Sequence, residues 1–231
     1  MFRIYDPDVY RRHPAHATYA LIAINVAVSA VMFLGMSGLQ EIVTEYRFGM
    51  IPWELTGHPQ LGIERIFWQG QNVRVDLTSP IPTILTIFTS MFLHGSWLHV
   101  GGNMLFLWVF GNSVEDRLGH VGYSLFYLAA GVVAAWTQVA TDPTSQVPVI
   151  GASGAIAGVL GAYLVMFPLS RMVIFRVPVP AALLLGSWIL TQVFMGTVTL
   201  GSEPNVAYFA HIGGFAAGVT GTWLLRQVRL V

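Results

Sequence analysis

The chain has 231 residues, 55% of them hydrophobic and 10% charged, with 11 basic and 11 acidic side chains, no lysine and no cysteine. Soluble domains carry about 25% charged residues, so this composition, with a mean hydropathy of +0.64, belongs in a membrane. The balanced charge offers no basic surface for nucleic acid, and the absence of cysteine excludes disulfides, thiolate chemistry and Cys-based metal sites.

Charge-free runs long enough to cross a hydrocarbon core of about 30 Å recur at Ala17 to Gly38, Leu77 to Val114, Leu118 to Thr141, Pro143 to Ser170, Val177 to Ser202 and Pro204 to Leu225. The expected fold is all-α: a polytopic bundle of six spans forming a single membrane-embedded domain over residues 1–231. No linker or low-complexity tract marks a second domain. The first run is too long for a signal peptide and lacks a clear cleavage site, so it reads as a span. Residues 39–80 form a long external loop in which Phe48, Trp53, Phe67 and Trp68 mix with charges. That composition suits the headgroup zone, and a partly helical element against the outer leaflet is expected. The second run exceeds one simple span. It divides into a membrane-dipping helix from Pro82 to Leu93, a His94-Gly95-Ser96 break and a span beginning at Ser96, whose hydroxyl suits an N-cap.

Six spans put both ends on one side. That side collects Arg3, Arg11, Arg12, Arg117, Arg171, Arg176, Arg226 and Arg229, against Arg47, Arg65 and Arg74 on the other. An eight-to-three bias makes both termini cytoplasmic. From those anchors, at about 1.5 Å per helical residue, Ser153 and His211 each lie about 22 Å from the cytoplasmic boundary, and His99 and Asn103 about 18 to 24 Å. A serine, a histidine and a His/Asn pair thus share one layer inside the membrane, where polar side chains are costly and mark functional candidates.

Spacing supports their convergence. His99 and Asn103 are four apart and stack on one helix face, whereas His94 and His99 would diverge by about 140° on a continuous helix. Gly154 and Gly158 make a small-xxx-small face beside Ser153, and His211, Gly214 and Gly218 follow an i, i+3, i+7 stripe. Glycines on such faces let backbones approach closely. Ser153, at the start of a helix, can turn its free N–H toward a developing oxyanion; His211 can act as its base, and His99 and Asn103 can donate to the same oxygen. Every Asp and Glu lies outside the runs, so a two-residue Ser/His arrangement is favoured over a buried triad.

Four elements in this order carry a resemblance: His94-Gly95-Ser96-Trp97-Leu98-His99-Val100-Gly101-Gly102-Asn103, Gly111-Asn112-Ser113-Val114-Glu115-Asp116-Arg117-Leu118-Gly119, Gly151-Ala152-Ser153-Gly154 and Ala210-His211-Ile212-Gly213-Gly214. Over nearly its whole length the chain resembles the rhomboid intramembrane serine proteases. The resemblance implies Ser153 as nucleophile, His211 as base, His99 and Asn103 in the oxyanion hole, a structural role for Glu115 and Arg117, and substrates that are transmembrane helices cut near an unstable end, often after a small residue. Two departures stand out. Many members place tyrosine four residues after the serine, stacked on the base, where this chain has Ala157, and the Trp-Arg pair of the external loop is not evident.

Blander readings exist for each feature. A lone G-x-S-G is more often helix packing, a lone His211 could be an interhelical hydrogen-bonder, and His94 reads as a structural hydrogen bond at the loop edge. Met104, Phe106, Trp108 and Phe110 read as lipid or core contacts, and Gln138, Thr191 and Gln192 receive no role. No H-E-x-x-H string supports a zinc protease, and no pair of intramembrane aspartates supports an aspartyl protease. A transporter or channel would show repeats or several intramembrane charges; a non-proteolytic helix-binding relative would not need Ser153 and His211. The expectation is therefore a six-span serine endopeptidase of a bacterial cell membrane, with transmembrane proteins as substrates, the lipid bilayer around it, and no cofactor, metal or nucleic acid. Water must reach the site from the external face, through the loop Asp142 to Val149 or the fifth span from Pro178 to Met195.

Overall fold

The computed structural model describes residues 4–5, 13–201 and 206–228. Arg3, Arg11, Arg12 and Arg229, on which part of the orientation argument leans, lie outside the described residues, as do positions 202–205, where the fifth apolar run ends and the sixth begins.

The described chain is mostly helical. α1 (His16–Gly35) is followed by α2 (Gly38–Phe48) and the short α3 (Pro52–Leu55). After one hairpin come α4 (Thr86–Thr89), flanked by single 3₁₀ turns, α5 (Trp97–Phe106), α6 (Asn112–Thr141), α7 (Ser153–Met166), α8 (Ala181–Val198) and α9 (Tyr208–Gln227). A π-helical stretch, Leu107–Gly111, joins α5 to α6, giving one continuous helical segment, Trp97–Thr141, of 45 residues. At 1.5 Å per residue that is about 68 Å, more than twice a hydrocarbon core. It does not run straight. Gly119, at φ 70 and ψ 164, breaks it, a conformation that costs glycine little and other residues more. Among the described residues, three helical segments are long and apolar enough to cross a membrane: His16–Gly35, Trp97–Thr141 and Ala181–Val198.

α7 is the centre of the bundle. Every residue from Gly154 to Tyr163 is buried, the pattern of a helix apolar all round and enclosed by others. Lipid tails are as apolar as leucine, so in a membrane such packing rests on close fit rather than on expulsion of water. The fit here is glycine-made. A Cβ at Gly214 would run into the Gly154 carbonyl oxygen, one at Gly218 into the Gly158 carbonyl, and one at Gly161 into the Phe215 carbonyl. The stripes predicted on the two segments do face each other, and α7 and α9 touch backbone to backbone.

α1 is anchored to the start of α6. The buried Glu115 carboxylate accepts the Ala17 N–H at 2.8 Å, the Thr18 N–H at 2.7 Å and His120 Nδ1 at 2.6 Å, so it satisfies orphan donors in the first turn of α1. Arg117 points elsewhere, over the Phe167 ring at 4.9 Å. Hydrogen bonds to a charged acceptor contribute roughly 1.5–3 kcal/mol. Glu115→Ala is expected to destabilise the bundle by about that amount, read as a lowered thermal midpoint in detergent.

The expectation of a purely helical chain needs correction, because two small sheets are present. β2 (Ile63–Trp68) pairs antiparallel with β3 (Gln71–Asp76) across Gln69 and Gly70, both at positive φ (47° and 84°). Two residues of that kind between runs of β-branched and aromatic side chains make a twist-matched hairpin turn. The external loop is thus part helix, in α2 and α3, and part hairpin. On the other sheet β1 (Ile4–Tyr5) pairs with β4 (Arg171–Ile174), which pairs with β5 (Val177–Pro180); its hairpin turn, Phe175 and Arg176, also has φ of 48° and 70°.

Candidate active site

The position of Ser153 follows from the length of its helix. Fourteen residues of α7 span about 21 Å, less than a hydrocarbon core, so a helix that begins at Ser153 begins inside the protein. The segment before it is pinned by an antiparallel bridge between Met50 and Val149 and by the Gly151 N–H donating to the Ser90 carbonyl at 2.9 Å. Gly151 sits at φ +117, and a Cβ there would fall 2.9 Å from His99 Nε2 and 3.7 Å from Ser153 Oγ. Only glycine suits that position on both counts. The same measurement places the His99 ring and the Ser153 hydroxyl close to one point beside Gly151.

His211 stands in the first turn of α9, 9% exposed. Its Nε2 lies 2.7 Å from Ser153 Oγ, and its Nδ1 lies 2.7 Å from Gln192 Oε1 on α8. The Gln192 amide nitrogen donates to the Trp188 carbonyl one turn back at 3.4 Å, leaving the oxygen as the atom that faces the imidazole. An amide oxygen only accepts, so Nδ1 carries the ring proton and Nε2 presents its lone pair to the serine O–H. Trp188 also flanks the ring, centroids 5.7 Å apart and tilted by 37°.

His99 and Asn103 come from α5, which starts where the sequence places it. Ser96 Oγ accepts the His99 N–H at 3.1 Å as the N-cap. His94 is therefore not on a continuous helix with His99. It folds back, fully buried, with Nε2 accepting from Asn103 Nδ2 at 3.0 Å and its ring edge-on to His99 at 5.0 Å. One amide hydrogen of Asn103 is thus engaged and the other remains for a ligand. Ser153, His211, His99 and Asn103 line a cavity of about 610 Å³, together with Met91 and Trp188. Its rim includes Gly95, close to Oε1 of Glu45 on α2; burial first and the neighbouring Glu41 second push the Glu45 carboxyl up to about 7.

Residues 82–228 match the family model of the Rhomboid domain, well over half of the chain. The chain belongs to the rhomboid family. Its relatives include Rhomboid protein 1, mitochondrial, of Saccharomyces cerevisiae, 29% identical over 98% of this chain and 58% of the yeast protein. Rhomboid-like protein 11, chloroplastic, of Arabidopsis thaliana is 33% identical over 70% of the chain and 60% of the plant protein. Rhomboid protease GluP of Bacillus subtilis is 32% identical over 57% of the chain and 24% of its own length. The chain spans about three fifths of the length of the first two. Two of the three carry organellar names, so they do not support the expected bacterial cell membrane; what stands is a membrane protein with apolar helices.

Within the rhomboid domain, Ala157 packs against α9, where a Cβ at Gly214 would lie 3.3 Å from the Ala157 Cβ, and it gives the base no ring to stack on. The base is held from α8 instead. Gln192 is the residue that sequence reasoning missed: a polar side chain in an apolar helix was a signal, but its partner could not be read. Its neighbour Thr191 has the same polar character and merely donates to the Ser187 carbonyl of its own helix at 2.9 Å. Gln138, also without a role from sequence, accepts the Ala210 N–H at 3.2 Å, next to His211. Among the described residues no three His, Asp or Glu side chains gather as a metal site.

Proposed function

We propose that the chain is a serine-type intramembrane endopeptidase that cuts peptide bonds in or near the transmembrane helices of other membrane proteins. The observation that carries the reading is the 2.7 Å approach of Ser153 Oγ to His211 Nε2 inside a cavity within the bundle. A hydroxyl against the bare nitrogen of an oriented imidazole is the arrangement of an activated nucleophile.

In this reading the bundle crosses the membrane six times, through α1, the 97–118 and 120–141 halves on either side of Gly119, α7, α8 and α9. Pairing of β1 with β4 puts the N-terminal segment beside the connection between α7 and α8, and Arg226 at the end of α9 donates to the Met166 carbonyl at the end of α7 at 3.3 Å. Both contacts support a reading in which the two ends gather with Arg117, Arg171 and Arg176 on the side that the arginine bias makes cytoplasmic.

The chemistry runs as follows. Ser153 Oγ attacks the scissile carbonyl carbon while its proton passes to His211 Nε2. The oxyanion accepts from the Ser153 N–H, the free amide hydrogen of Asn103 and His99. As the tetrahedral intermediate collapses, the C–N bond breaks and the imidazolium gives its proton to the leaving amine. Water then attacks the acyl carbon while its proton passes to the same nitrogen; the Oγ–C bond breaks, the imidazolium returns the proton to Ser153 Oγ, and the acid product leaves. α8 is the element suited to admit substrate and water, because Leu183, Leu190, Phe194 and Val198 face outward and few of its residues are buried.

A serine-directed electrophile tests the assignment. Wild type is labelled at Ser153, and His211→Ala is not; labelling that persists without the imidazole, or flux of a small solute with no labelling, would remove the reading. A separate expectation concerns Asn103→Ala. Loss of one oxyanion donor lowers kcat about 10²–10³-fold, about 3–4 kcal/mol, with KM little changed, since the interaction strengthens only in the transition state. The variant also strips His94 Nε2 of its buried partner, so thermal unfolding is measured alongside to separate a folding defect from a catalytic one.

A further inference from the structure

Among the described residues, α8 supplies the side-chain partners of the base on the side away from the serine. Gln192 is buried at 8% exposure, its oxygen is 2.7 Å from His211 Nδ1, and its amide nitrogen is held by its own helix at the Trp188 carbonyl. Trp188 closes the adjoining flank of the ring. Among the described residues no carboxylate is hydrogen-bonded to the ring. An ionised Asp or Glu in that place would lose its hydration in a membrane interior, whereas a carboxamide presents an acceptor oxygen in the same geometry without a charge.

We propose that Gln192 is a positioning residue for the catalytic base, the third member of a Ser153–His211–Gln192 relay, and that it ties the competence of the base to the place of α8. The inference rests on the protease reading for its catalytic meaning, not for its geometry. A neutral imidazole can carry its proton on either nitrogen, and the Nε2–H form would offer the serine a donor where an acceptor is required. An acceptor at Nδ1 removes that form and fixes the ring plane. The same hydrogen bond crosses between two helices. α8 presents Leu183, Leu190 and Phe194 outward, and a displacement wide enough to admit a helix from the lipid side carries Gln192 away from Nδ1. The base is then fully oriented only when α8 has returned, so a serine exposed by an open helix is a poor nucleophile until the site closes around a substrate.

Two variants of the full chain decide this. Methionine is close to glutamine in volume, apolar and free of an acceptor at the amide position, so Gln192→Met folds in the bundle but cannot orient Nδ1–H. Gln192→Glu keeps an oxygen acceptor whether or not it is ionised. With a single-span reporter in liposomes, Gln192→Met is expected to lower kcat about tenfold, the worth of one neutral hydrogen bond, at unchanged KM, and Gln192→Glu to recover most of the loss. Nitrogen-15 NMR of histidine-labelled protein in nanodiscs, with His211→Gln to assign the signals, should give a protonated Nδ1 and bare Nε2 for His211 in wild type and a tautomer mixture in Gln192→Met. Wild-type kcat in Gln192→Met, a loss confined to KM, or a proton on Nε2 in wild type would each overturn the inference. The NMR readout needs no turnover. A wild type that neither cleaves nor labels defeats the protease reading, while the tautomer still decides whether Gln192 holds the ring.

Discussion

Ser153→Ala is expected to lower cleavage of a reconstituted single-span reporter by a factor on the order of 10⁴ or more, and His211→Ala by a similar factor. The sizes should match because the two side chains act as one device. Without the imidazole at 2.7 Å, the serine keeps its proton and is a weak nucleophile; without the hydroxyl, the oriented base has nothing to activate. It follows that the double variant is no worse than either single one. That equality discriminates more sharply than the losses themselves, since residues contributing separately would give multiplied defects. Folding is controlled by thermal unfolding. Ser153 lines the cavity and its hydroxyl makes one interhelical hydrogen bond, to His211, worth about 1 kcal/mol, so Ser153→Ala should unfold within a few degrees of wild type. Cleavage that survives either substitution, or a double variant much slower than both, breaks the assignment.

Much of this arrangement was legible before any coordinates. Long apolar runs give helices, and arginines near their ends suggest sidedness. Glycine stripes at i, i+4 and i, i+3, i+7 announced which faces of α7 and α9 would meet, because glycine's lack of a side chain has meaning only where another backbone comes close. Ser96 was readable as an N-cap for a related reason: a hydroxyl at that place has one local task, fulfilled by the His99 N–H three residues on. Local chemistry writes itself into local sequence.

What escaped was chemistry set by tertiary fit. His94 reads from the sequence as a structural hydrogen bond at the loop edge, and it makes one, but its partner Asn103 is set by how the segment before α5 folds back onto the helix that begins at Trp97. Gln192 and His211 are 19 residues apart on different helices, and nothing in either segment encodes their registration. The hairpin of β2 and β3 did carry a local signal in Gln69-Gly70 between runs rich in isoleucine, valine and aromatics. Its counterpart at Phe175 and Arg176 carried none, since two bulky residues at positive φ are held there by the pairing of β4 and β5 rather than by their own preference.

The second large effect concerns the seam on which the dyad depends. Gly214→Val is expected to abolish labelling of Ser153 and to lower the thermal midpoint sharply, although residue 214 touches neither Ser153 nor any substrate. The obstacle to a Cβ at that place is the Gly154 carbonyl oxygen, which is backbone and cannot swing aside as a long side chain would. Overpacking of an ordinary core costs about 1–3 kcal/mol because neighbours adjust. Here adjustment means that α7 and α9 separate, and the hydrogen bond between Ser153 and His211 spans that same gap one turn away. A shift of about 1 Å suffices to take 2.7 Å outside hydrogen-bond range. Gly221→Val on the same helix serves as the control. Its Cβ would approach only the edge of the Phe126 ring at 3.3 Å, a side chain that can yield, so labelling should persist. Equal labelling of Ser153 in Gly214→Val and wild type would mean that the dyad does not depend on the approach of these two backbones.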